Sequence, residues 1–423
     1  MNHSKQTFVT AFALFSLFFG AGNLILPPFL GYNAGESWLW VSLGFAVSAV
    51  LIPILAIYGY ARIQGTMLDF AGKVSPVFAM GYAVMVYVIS AALPSPRTAS
   101  VAYEMAIQPY FDISSLWAST IYFVLVLMCV LNRTKLLDLI GKFLTPLIIV
   151  SLLIIISFGL FGNVEPLRAS IFENSFAEGI LEGYQTFDAI GGVVVGGVIV
   201  ISFRLQGRYN YTEKKRMIAR SGLFAGLGLL IIYGGLIALG ARYSGTLEIE
   251  NRTELLTVLS TQTLGNIGTA FLGVLVALAC FTTAVGIVTG TADFVKGIAG
   301  NSPIAYRVTA VLACVLGVAV GQFDVHYIID IAVPALMFIY PITIVLILLN
   351  LTPNRYASKR VFRAVTIVAI LFSIPDFLEV LISEETVTAI KNWIPFSKNS
   401  LGWVLPALLT FAVANMIRSF RNA

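Results

Sequence analysis

The longest stretch of the chain without a charged side chain runs from Glu254 to Asp293, and further charge-free gaps separate Lys5 from Glu36, Glu36 from Arg62 and Lys73 from Arg97. About 20 mostly apolar residues in a helix cross the hydrocarbon of a bilayer. Such runs predict spans at Phe8–Phe29, Trp38–Tyr60, Pro76–Leu93, Leu116–Leu131, Phe143–Phe161 and Ile180–Phe203. They continue at Leu223–Ala241, Gly268–Val288, Val308–Val320, Ile328–Asn350, Val365–Ile382 and Gly402–Ile417, twelve in all, with Asp324 and Asp376 crowding the ninth and eleventh. Composition agrees: 58% of the 423 residues are apolar and 11% are charged, against about 25% charged in a soluble domain. The first run is long, holds Gly20, Gly22, Pro27 and Pro28, and lacks a small-residue cleavage site, so it reads as a retained span rather than a signal peptide.

Charge asymmetry predicts the orientation. With the amino terminus inside, inner segments carry Lys5, Arg62, Lys73, Arg133, Lys135 and Lys142, then Arg204, Arg208, Lys214, Lys215, Arg216 and Arg220, and later Arg355, Lys359, Arg360 and Arg363. Outer segments carry Glu165, Glu173, Glu178 and Glu182, then Glu248, Glu250 and Glu254. The positive-inside rule places both termini in the cytoplasm. The net charge of +5 then follows from topology, and no nucleic-acid partner is expected. Cys129, Cys280 and Cys314 lie in apolar runs without metal-like spacing. Two histidines exclude a histidine-rich metal site, and the lack of a Walker loop argues against ATP drive.

Two spans are interrupted by residues that a mere anchor would avoid. Span one reads Phe18-Phe19-Gly20-Ala21-Gly22-Asn23, and span six reads Gln185-Thr186-Phe187-Asp188 before Gly191-Gly192. Close packing through small residues accounts for the glycines alone. It does not account for Asn23, or for the Asp188 carboxylate, which costs about 2.5–3.5 kcal/mol at mid-bilayer and so calls for a partner or a function. Glycine-interrupted spans at matching places in two halves point to a transporter site. A broken helix offers N–H groups to an anion at one end and carbonyls to a cation at the other. In span eight, Thr282 and Thr283 either bond back to their own helix or turn toward an ion. Arg97 and Glu104 lie two turns apart, and Arg97 is expected to snorkel to the headgroups with Glu104 beside it. Kinks at Pro334 and Pro341 in span ten are expected to be structural.

At five stretches, Leu14–Gly31, Pro96–Glu104, Glu182–Ala189, Leu278–Gly286 and Pro334–Ile342, the chain resembles the branched-chain amino acid:cation symporters, the bacterial system II carriers for leucine, isoleucine and valine. These stretches run in order from end to end. The chain departs from that family's pattern at Leu93–Pro96, where Pro94-Ser95 stands as extra residues. The resemblance implies an all-α integral membrane protein of the amino acid–polyamine–cation superfamily. Its fold would be an inverted five-plus-five repeat with broken helices one and six plus two carboxy-terminal helices. Repeat one would cover about 6–162, repeat two about 178–350 and the extra helices about 362–418. The resemblance further implies a substrate site of Ala21, Gly22, Asn23, Phe187 and Asp188: Ala21 and Gly22 meet a substrate carboxylate, Phe187 and Asp188 meet its ammonium and side chain, and Asn23 holds the unwound segment or a second ion site. A sodium site is implied at Ser16, Phe19, Ala279, Thr282 and Thr283, with sodium or a proton as coupling ion and no organic cofactor. The expected role is uptake of leucine, isoleucine and valine across a bacterial inner membrane. A channel would favour repeated polar faces, and an enzyme would need a nucleophile with a base or paired acids. Asp188 stands alone, and His3 and His326 lie outside the spans. An ion channel or a carrier for another small amino acid is the alternative, and a membrane-embedded enzyme is the least expected.

Overall fold

The computed structural model describes residues 3–132, 136–161, 166–205, 210–245, 249, 251–379, 387 and 390–422. Of the charges used for orientation, Arg133, Lys135, Glu165, Arg208, Glu248 and Glu250 lie outside the described residues. Among the described residues the structure is helical throughout, without strands. Eight helices among the described residues are long and apolar enough to cross a bilayer, and Thr7–Ser16, Pro146–Phe161, Asp188–Gly197 and Val404–Ile417 are shorter apolar helices beside them. Many large apolar side chains, such as Phe161, Val77 and Ile304, face outward. That is the surface lipid covers and water would not.

Span one is two helices, α1 (His3–Phe18) and α2 (Ala21–Ala34). Gly20 between them is extended, at φ −103° and ψ −170°. Pro27 and Pro28 sit inside α2 and cannot donate to the carbonyls of Asn23 and Leu24, which loosens the turn beyond the break. Span two runs from α3 (Trp38–Ala46) through one wide π turn at Val47–Leu51 into α4 (Ile52–Ile63), followed by a short α5 (Met67–Ala71). Span three bends at Leu93 between α6 (Pro76–Ala92) and α7 (Pro94–Ala106). The two extra residues noted in the sequence, Pro94 and Ser95, open α7 there, since proline fits the first turn of a helix. Spans four and five are α8 (Ser115–Asn132) and α9 (Leu136–Phe161).

Span six is again two helices, α10 (Ser175–Tyr184) and α11 (Asp188–Leu205). α12 (Tyr211–Arg242) is span seven. α13 (Arg252–Ile298) holds a non-helical Gly265, φ 69°, that divides an outlying helix, 252–264, from span eight. α14 (Pro303–Gly321), α15 (Val325–Leu351), α16 (Lys359–Leu378) and α17 (Val404–Asn422) are the last four spans. Asp324 caps α15, taking a hydrogen bond from the Tyr327 N–H at 2.8 Å. Asp376 is buried at the end of α16 against Lys391, 2.9 Å away. Both carboxylates thus have uses that leave the ninth and eleventh spans intact.

The packing exchanges the two halves. Both pieces of span one lie on span seven, and span six lies on span two. In each case two backbones come together through reciprocal glycines. A Cβ on Gly31 would fall 1.9 Å from the Ile237 carbonyl oxygen, and one on Gly240 would fall 1.8 Å from that of Pro28. Likewise a Cβ on Gly179 would fall 2.2 Å from the Val41 carbonyl oxygen, and one on Gly44 would fall 2.0 Å from that of Phe176. Only glycine allows such crossings, the usual means of joining membrane helices where no water drives association. Spans one, two, six and seven are thereby locked around the two breaks.

Candidate functional site

The breaks meet through one carboxylate. Tyr184 ends α10, Phe187 takes the left-handed conformation at φ 62°, and Asp188 opens α11. That backbone region is uncommon for a bulky residue, and such strain persists only where its surroundings impose it. The turn is held locally: the Thr186 hydroxyl donates to the Gly183 carbonyl at 2.8 Å, and the Asp188 N–H donates to the Thr186 Oγ1 at 3.2 Å. Asp188 therefore projects from the first turn of a helix, the end at which the dipole favours a negative charge. It is only 3% exposed.

Its partners are neutral. Asn23 Nδ2, on the first turn of α2, donates to Asp188 Oδ2 at 2.7 Å, and the Tyr233 hydroxyl of α12 donates to the same oxygen at 3.0 Å. Asn23 also donates to the Tyr233 hydroxyl, closing a triangle of three buried groups from spans one, six and seven. Phe19 stacks on Phe15 and on Tyr233, at 5.1 and 6.2 Å between ring centres. Asn23 and Asp188 were legible in the sequence as polar residues at depth. Tyr233 was missed, although Tyr-Gly-Gly at 233–235 marks a polar atom beside an opening in span seven.

The structure departs most from expectation at Arg97. It does not snorkel to the headgroups and it does not pair with Glu104. The bend at Leu93 turns α7 inward and leaves Arg97 only 3% exposed. Its Nη1 donates to the Gln185 carbonyl at 2.8 Å, and its guanidinium lies over the Phe187 ring, 5.3 Å from the centre. Glu104 is engaged elsewhere, accepting from the Thr253 hydroxyl at 2.6 Å and from the Val325 N–H at 2.9 Å. Above the breaks, Glu182 pairs with Arg252 at 3.3 Å and accepts from Gln185 Nε2 at 2.9 Å, while Arg252 lies over the Phe29 ring. These contacts tie α2 and α10 to the 252–264 helix.

The remaining expected residues fall around the first break. Ala21 and Gly22 are the first two residues of α2, and their N–H groups belong to a turn that Gly20 leaves without a side-chain cap. Ser16 and Phe19 stand on the other side of Gly20, Ser16 on the last turn of α1. Thr283 lies beside Gly20: a Cβ built there would be 3.7 Å from the Thr283 Oγ1. Thr282 and Thr283 both donate to the Ala279 carbonyl, at 2.9 and 3.0 Å. This is the back-bonded arrangement, and it brings three hard oxygens together at one point of span eight. Among the described residues no cluster of His, Cys, Asp and Glu forms a metal site.

The chain matches the branched-chain amino acid transport protein family over residues 3–421. It is 32% identical to the branched-chain amino acid transport system 2 carrier protein of Pseudomonas aeruginosa, over 98% of this chain and 97% of that one. It is 31% identical to the branched-chain amino acid permease BrnQ of Bacillus subtilis, over 97% of this chain and 96% of that one. Among solved structures it superposes on the inward-facing conformation of Mhp1, with a TM-score of 0.63 at 12% identity, over 98% of this chain and 91% of that one. It also superposes on a manganese transporter of Eremococcus coleocola, with a TM-score of 0.60 at 16% identity, over 99% and 95% of the two chains. The structural likenesses show a shared fold. The chain, a multi-pass membrane protein and not an enzyme, belongs to the branched-chain amino acid transport protein family.

Proposed function

We propose that this protein imports leucine, isoleucine and valine by secondary active transport, in symport with sodium or protons. The observation that carries the reading is the triangle of Asp188, Asn23 and Tyr233, which sets one buried carboxylate between the two helix breaks. A substrate ammonium is the cation that suits such a carboxylate, and the uncapped first turn of α2 at Ala21 and Gly22 suits a substrate carboxylate. Phe187 contributes apolar surface for a branched side chain, and Asn23 orients Asp188.

Sodium, as cargo, is assigned to the carbonyls of Ser16, Phe19 and Ala279 with the hydroxyls of Thr282 and Thr283. Hard oxygen donors match a hard cation. Loading would turn each hydroxyl proton away from the Ala279 carbonyl and present the lone pairs instead. The repeats span about 6–162 and 178–350, both termini are cytoplasmic, and the membrane is the bacterial inner membrane. Basic residues clustered in the connections assigned to the inside support that orientation.

Competition against uptake of labelled isoleucine into proteoliposomes tests the substrate class. One methylene in an apolar pocket is worth about 1–3 kcal/mol, so leucine, isoleucine and valine should compete within about tenfold to a hundredfold of one another. Lysine and glutamate should not compete. Strong inhibition by lysine would overturn the assignment.

A further inference from the structure

Among the described residues, Arg97 has no carboxylate in direct ion-pair contact, although Asp188 and Glu182 lie near enough to feel its charge. Its Nη1 donates to the Gln185 carbonyl and its face covers Phe187, but Nε is buried without a hydrogen-bond partner. Inside a membrane protein such a residue is expected to have a charged or ligand partner. Its position indicates which kind. A Cβ built on Gly22 would lie 2.3 Å from Arg97 Nη2, so the guanidinium occupies space that glycine alone leaves open at the first turn of α2. That turn begins after Gly20 with no side-chain cap. Two sources of positive potential, a guanidinium and a helix amino end, therefore converge at the break. Asp188, bonded to Asn23 of the same turn, supplies the negative charge. This is the polarity of a zwitterion, reversed.

We propose that Arg97 is the charge partner of the substrate's carboxylate, acting together with the first-turn amides of α2, while Asp188 receives the ammonium. The proposal rests on the reading of the break as an amino-acid site. It makes Arg97 a specificity-determining residue: the site selects α-amino acids over amines and amino alcohols that carry the same side chain. A guanidinium fork suits a carboxylate in geometry as well as charge. The alternative is that Arg97 only pins the end of α10 through the Gln185 carbonyl.

The test is equilibrium binding of labelled leucine to the purified full chain, with leucinol as competitor. Leucinol keeps the ammonium and the side chain and replaces the carboxylate by a hydroxymethyl group. The wild type should prefer leucine by about 10- to 100-fold, the worth of a charge-assisted contact. Arg97→Gln should lose leucine affinity by about that factor and leucinol affinity far less, bringing the two ligands close to parity. Arg97→Lys should keep part of the preference. If Arg97→Gln weakens both ligands equally and the preference survives, Arg97 is only a pin and the proposal fails. Should Arg97→Gln not fold, Gly22→Ala displaces the guanidinium and is read by the same ratio, with a retained preference overturning the proposal. A wild type that binds neither ligand would refute the amino-acid reading itself, which is a separate outcome.

Discussion

Replacing Asp188 by asparagine separates a functional carboxylate from a packed one. In the native site, Oδ2 accepts from Asn23 at 2.7 Å and from Tyr233 at 3.0 Å. The amide oxygen of asparagine can take the same place and keep both bonds, so the change reduces to the loss of charge. Without substrate, the loss relieves a mid-membrane charge worth about 2.5–3.5 kcal/mol. It also weakens two charge-assisted hydrogen bonds by about 1 kcal/mol each. These nearly cancel, and the empty protein should melt within a few degrees of the wild type. With substrate the balance differs, because removing one member of a buried ion pair costs about 3–5 kcal/mol. Leucine affinity should then fall by more than about 100-fold, and concentrative uptake should be abolished. The assay is binding and thermal melting on the same detergent-purified samples. A variant that melts far lower yet binds leucine as tightly as the wild type would refute the reasoning and make Asp188 a structural acid.

Two other substitutions probe different parts of the account. Thr283→Ala should raise the sodium concentration for half-maximal uptake at unchanged membrane abundance, and unaltered sodium dependence would leave only the helix back-bond to Ala279. Gly31→Ala forces a methyl group against the Ile237 carbonyl, which as backbone cannot yield as a side chain does. Overpacking of about 1–3 kcal/mol or more is expected, read as a lowered melting temperature, and an unchanged one would contradict the close crossing of spans one and seven.

The span count was legible because lipid leaves no choice: a crossing helix needs its full length of apolar residues, and charge-free runs display it directly. The breaks were legible for the complementary reason, since glycines with Asn23 or Asp188 at membrane depth contradict an anchor. Arg97 was misread because its neighbours in sequence, Pro94 and Pro96, resemble an interface. Its burial depends on where the bend at Leu93 sends α7, a property of tertiary packing. Its spacing from Glu104 was sound helical geometry, yet Glu104 is taken by Thr253 and Val325 from distant parts of the chain. The 252–264 helix was also hidden, because its apolar residues run without a charge into span eight and only Gly265 marks the junction. Tyr233 went unnoticed because one hydroxyl among apolar residues has many innocent placements, and its use appears only when spans one and six are brought beside it.

The central claim, coupled import through the paired breaks, is tested most directly by uptake of labelled isoleucine into proteoliposomes under an imposed inward sodium gradient, and separately under an inward proton gradient. At least one gradient should drive isoleucine transiently above its equilibrium level, collapse of that gradient should return it to equilibrium, and Asp188→Asn should remove the overshoot. Equilibration at the same rate and to the same level with and without either gradient would contradict symport and leave facilitated diffusion.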